Sequence, residues 1–142
     1  MIQRIQTVYL ALAALGLIIT LFVGSVWEDP AADELSWFRP LVLALGPLAI
    51  AGCVVSIFSF SQREQQLRIV VATQYGIIVY LAVILLGGYI IGAPIVYNAQ
   101  QQLDLGGVST VVLPALAYVF LRMARSSILR DIALLKSAVR IR

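Results

Sequence analysis

Four apolar runs separated by short polar segments set the pattern of this chain. Val8 to Trp27 is an uncharged stretch of 20 residues. As a helix rising 1.5 Å per residue it reaches about 30 Å, the thickness of a bilayer's hydrocarbon core. Leu41 to Phe60 forms the second run, Ile69 to Gly92 the third and Val108 to Leu121 the fourth. The pattern predicts spans at about 8–27, 41–60, 69–92 and 108–125. A signal peptide is the other way to read the first run, with Arg4 as its basic start and Val23-Gly24-Ser25 as its cleavage site. The run is long for a signal-peptide core, so we read it as a span.

Only 14 residues separate Val108 from Arg122, about 21 Å of helix. That falls short of a hydrocarbon core. The fourth helix is therefore expected to continue into the tail, residues 122–142, with Arg122 and Arg125 snorkelling to the headgroups. Ile128, Ile132, Leu135 and Val139 recur at helical spacing and form an apolar stripe. Arg122, Arg125, Arg130, Lys136 and Arg140 fall beside it. Such a basic amphipathic helix binds the anionic inner leaflet of a membrane, docks on another membrane subunit, or serves as a topology anchor alone. At about 1 kcal/mol per basic residue near an anionic surface, the lipid contact is worth several kcal/mol.

The connections are equally readable. Glu28 to Pro40 holds Glu28, Asp29, Asp33 and Glu34 against Arg39 alone, with Trp27, Trp37 and Phe38 at its edges, where aromatic rings favour the membrane interface. Its carboxylates suit calcium by type, but no glycine-centred ligand loop is present, and a solvated loop is expected. Pro40 fits the first turn of the next helix. Ser61 to Arg68 is short enough to force an antiparallel hairpin, and Ala93 to Gly107 is a polar loop with Asp104 as its only charge.

Composition narrows the function. The chain is 61% hydrophobic and 12% charged, with no histidine and one cysteine, Cys53. Soluble domains carry about 25% charged residues, so the expected class is an all-α integral membrane four-helix bundle. Without histidine, and with only Met1 and Met123 as thioethers, the usual haem, zinc and non-haem iron ligands are missing, and no cofactor or metal is expected. No Asp, Glu, Lys or Arg lies well inside a span, which argues against an ion pump. Gln74, Tyr75, Tyr80, Tyr89 and Tyr118 are the polar groups left there, and inter-helix hydrogen bonding is their expected role. Catalytic residues are not expected. Nor is nucleic-acid binding, since the basic tail lacks aromatic residues for stacking. Gly16, Thr20 and Gly24, and again Gly88 and Gly92, are four apart, a spacing that lets helix backbones approach in lipid.

The two chain ends carry a resemblance. Met1-Ile2-Gln3-Arg4-Ile5-Gln6-Thr7, and Ile128, Arg130-Asp131, Lys136-Ser137 and Arg140-Ile141-Arg142, resemble the domain of unknown function 4293 family. The chain departs from its pattern at Val139, where an acidic or amide residue is common. The resemblance implies a small four-span inner-membrane protein of the Bacteroidota and no assigned activity. An accessory or scaffold subunit of a respiratory or secretion complex is the expected role. A small transporter or lipid- or quinone-handling protein is the alternative, which requires a cavity at membrane depth lined by Gln74, Tyr75 or Tyr89.

Orientation follows from the basic residues. One side holds Arg4, Arg63, Arg68 and the six from Arg122 to Arg142, against Arg39 on the other, so both termini are expected in the cytoplasm. Fusing alkaline phosphatase to the C-terminus should therefore give an inactive reporter; strong periplasmic activity would reverse the topology.

Overall fold

A computed structural model describes residues 2–23, 27, 30–92 and 103–140. The side chains of residues 2–4, 23, 30, 136 and 138–140 lie outside that description. Four long helices account for most of it: α1 (Ile2–Val23), α3 (Phe38–Phe58), α4 (Arg63–Ile91) and α5 (Leu105–Arg140), with a short α2 (Pro30–Glu34) between the first two. All four long helices are long and apolar enough to cross a membrane. Where no water is present to satisfy N–H and C=O groups, a helix satisfies them within itself, which is why these runs take this form.

Sequence neighbours pack side by side, and α5 closes the ring by packing on α1. The helices run up and down: α3 and α4 are joined through a single 3₁₀ turn, Ser59–Ser61, as the short connection requires. Pro40 falls in the first turn of α3, and α5 continues without a break from Leu105 to Arg140, so span and tail are one helix. Asp104 caps that helix. Its Oδ1 and Oδ2 accept from the N–H groups of Gly106 and Gly107 at 3.1 and 2.8 Å.

Two apolar clusters fill the interior. One joins Leu10, Ala13 and Leu17 of α1 to Cys53, Ile77, Leu121 and Ile128. The other, nearer α2, joins Leu21, Phe38, Val42, Tyr80 and Ile84 with Ala31 and Ala32. The exterior is also apolar: Phe22 is 82% exposed, Phe58 75% and Leu48 67%. A bundle apolar inside and outside is built for lipid, and this is a multi-pass membrane protein.

The segment expected as an acidic loop contains α2, which buries Ala31 and Ala32 against the bundle. The reason lies on α4. A Cβ added at Gly87 would lie 2.5 Å from Phe38 Cε2 and 3.2 Å from Ala31 Cβ, so the missing side chain leaves the hollow that both fill. Arg39 of α3 pairs with Asp33 of α2 across this corner.

The glycine rows divide. A Cβ at Gly16 would meet the Leu113 carbonyl oxygen at 3.5 Å, so this glycine faces α5; Thr20 and Gly88 are buried within the chain. Gly24 lies outside the described residues. Gly92 has a different role from helix packing. It is exposed, nothing lies within 4 Å of an added Cβ, and its φ of 71° closes α4 in the left-handed conformation.

Gly87→Val should destabilise the bundle by about 1–3 kcal/mol through the clash with Phe38. Unfolding in detergent checks this against Gly76→Ala, which meets nothing within 4 Å and should leave the midpoint unchanged.

Candidate functional site

Polar groups from all four long helices converge at the end away from α2. Gln6 of α1 is 1% exposed, although it stands beside a membrane-spanning run. Its Nε2 donates to Asp131 Oδ2 of α5 at 2.7 Å, and its Oε1 accepts from Arg63 Nη1 of α4 at 2.9 Å. Arg63 Nη1 lies 3.6 Å from Asp131 Oδ2, beyond a hydrogen bond, so the amide carries the contact between cation and anion. The same Nη1 reaches Gln66 Oε1 at 3.4 Å, and Gln66 Nε2 donates to the Ser56 carbonyl oxygen at 3.0 Å. Ser56 is in the last turn of α3, where carbonyls run out of helical partners. All four long helices thus meet in one network.

Local sequence places each member. Arg63 is the first residue of α4, immediately after the turn, so its long side chain can fold back toward α1. Gln66 follows one turn later on the buried face, continued by Val70, Thr73, Gln74 and Ile77. The Arg63 and Asp131 side chains are 13% and 12% exposed. At that burial an unmatched charge costs several kcal/mol, and neither is stable there without the other.

Two openings flank Arg63. One, about 450 Å³, is lined by Gln6, Thr7, Ile57, Phe58, Phe60, Arg63 and Gln66. The other, about 590 Å³, is an open cleft over the start of α4, lined by Gln62, Arg63, Glu64, Gln65 and Arg68. Gln62 gives that helix start no side-chain cap.

The tail residues expected to bind a partner or lipid fall in different settings. Arg122 and Arg130 are exposed and Arg125 is half-buried. Ile128 is not available to a partner: it is 0% exposed, covered by the chain's own bundle. Ile132 is half-buried against the same cluster, whereas Leu135 is 58% exposed. The side chains of Lys136, Val139 and Arg140 lie outside the description. The apolar stripe is thus covered from inside for its first half because α5 stays packed on α1 past Arg125.

Gln74, Tyr75 and Tyr89 do not face a common cavity. Gln74 is 4% exposed within the bundle, while Tyr75 and Tyr89 are 66% and 83% exposed on its outside. Among the described residues no group of three His, Cys, Asp or Glu side chains could hold a metal ion.

A family model described as a domain of unknown function, DUF4293, matches residues 33–141. The chain belongs to the DUF4293 family. No curated protein and no solved structure matches it. The match covers the C-terminal end of the chain and not residues 1–7, and Gln6 and Asp131, one from each end, are hydrogen-bonded.

Sequence reasoning did not single out this network. Its one visible signal was Asp131, the only acidic residue among the tail's six basic ones. Asp131→Leu should destabilise the protein by roughly 3–5 kcal/mol because Arg63 loses its counter-charge. Adding Arg63→Met should recover most of that loss. Unfolding midpoints of the two single variants and the double in detergent decide it; additive losses would show that the residues act separately.

Proposed function

We propose that this DUF4293 protein is an accessory or scaffold subunit of a larger bacterial inner-membrane assembly of respiratory or secretion type. In this reading both termini are cytoplasmic and the subunit has no catalytic or redox centre of its own. The observation that carries it is the course of α5. Among the described side chains Asp131 is its last with a polar tie to the other helices, and the helix runs on to Arg140, about 13 Å further. On that extension Leu134 and Leu135 are each 58% exposed, next to a basic sequence. A helix fixed at its root and apolar beyond it is suited to dock on a neighbouring subunit.

The transporter or lipid- and quinone-handling reading has one observation in its favour. Gln74 Nε2 and Tyr80 Oη are buried without a hydrogen-bond partner among the described residues. A polar ligand between the spans would satisfy them, and ubiquinone or menaquinone raising the unfolding temperature of the purified protein would favour it.

Purification from native membranes should return stoichiometric companion subunits. Ending the chain at Ala133 should leave the unfolding midpoint unchanged and remove those companions. A monodisperse monomer from native membranes, without companions, would overturn the accessory-subunit reading.

A further inference from the structure

Arg63 has capacity that the network does not use. A guanidinium carries five N–H donors, and among the described residues each hydrogen bond Arg63 makes leaves from Nη1. The Nε and Nη2 donors are neither bonded within the described chain nor among its sealed, unpartnered atoms. Arg63 lines both openings and keeps 13% of its side chain exposed, so these donors are not sealed from them.

Those openings differ in chemistry. The cleft at the start of α4 offers Arg63, Arg68 and the uncapped N-terminus of a 29-residue helix, whose amides and dipole favour an anion. Glu64 also lines it and opposes an anion, and Asp131 already stands 3.6 Å from Arg63, so the attraction for an anion rests on the exposed Arg68, the helix amides and the unused Arg63 donors. The opening on the other side is bounded by Ile57, Phe58 and Phe60, with Phe58 75% and Phe60 57% exposed. A polar compartment and a second one that sets three apolar side chains beside Gln6, Thr7 and Gln66, sharing a single arginine at the end of a spanning hairpin, match an amphiphile with an anionic head.

We propose that Arg63 and Arg68 bind the phosphate of an anionic phospholipid at the start of α4, with an acyl chain against Ile57, Phe58 and Phe60. The planar guanidinium edge takes two phosphate oxygens side by side, a geometry that lysine lacks. The bound lipid is a structural ligand of the α3–α4 turn. This site requires only that the bundle sits in a bilayer and is independent of any companion subunit.

The test uses the purified full-length protein in mild detergent, titrated with phosphatidylglycerol and followed by native mass spectrometry. Phosphatidylcholine with the same chains and inorganic phosphate serve as the other arms. One phosphatidylglycerol should be retained in preference to phosphatidylcholine. Arg63→Lys should weaken that retention about tenfold, and Arg68→Gln, which lies outside the network, several-fold. Phe60→Ala should weaken the lipid while sparing the phosphate ion. Displacement by millimolar phosphate would support the same site with free phosphate as its source; no displacement supports the lipid. Equal retention of the two lipids, or unchanged retention in Arg68→Gln, would overturn the proposal even if Arg63→Lys fails to fold.

Discussion

A glutamine amide placed between a cation and an anion holds one end of this bundle together. Gln6 suits the place because its two ends are opposite in character: the amine side donates to Asp131 and the carbonyl side accepts from Arg63. A carboxylate there would repel Asp131, and an apolar residue would leave Asp131 without its hydrogen bond and Arg63 with Gln66 alone. The amide joins the ion pair over 3.6 Å, and Gln66 extends the connection to α3. Once the charges leave water, each arrangement that fails to match them is several kcal/mol worse. The network therefore fixes which helices meet at this end, as well as how tightly.

The opposite end is held differently. In lipid the hydrophobic effect does not drive helices together, so close packing and polar pairing must do so. Around Gly87 the packing is steric, with the Phe38 ring and Ala31 seated where a side chain is missing. Gly52 makes a similar approach, where an added Cβ would lie 2.2 Å from Thr73 Oγ1. The α3–α4 hairpin thus gains its register from shape along its length and from hydrogen bonding at its turn. Beyond it, α5 is located mainly by α1 and by Asp131.

This division explains what could be read from the sequence. Spans are legible because bilayer thickness imposes a length scale on uninterrupted apolar runs, and the brevity of the fourth run implied that α5 passes through Arg122. The network was not legible, because Gln6 and Asp131 are 125 residues apart. Taken singly, Gln6, Arg63 and Gln66 look like the polar flanks that every span has. Spacing also misled at Gly92. Four residues after Gly88 it completes a packing pattern, yet Pro94 two positions later marks it as the residue that ends a helix. At Gly87 the pattern has no partner glycine to reveal it, and only the ring of Phe38 explains it.

The tail takes on a narrower meaning for the same reasons. Asp131 is anchored nine residues beyond Arg122, so the bundle continues about 13 Å past the first of the two arginines expected at the headgroups. Ile128 is turned inward and Ile132 half-buried, while Arg122 and Arg130 remain exposed. The chain covers its own apolar stripe up to that point. Among the described side chains, the large apolar ones left uncovered on α5 beyond Asp131 are Leu134 and Leu135, within one turn of each other. A surface carried on a helix already formed and rooted at Asp131 does not need to fold upon contact, so any partner gains its apolar contact without ordering the helix that provides it.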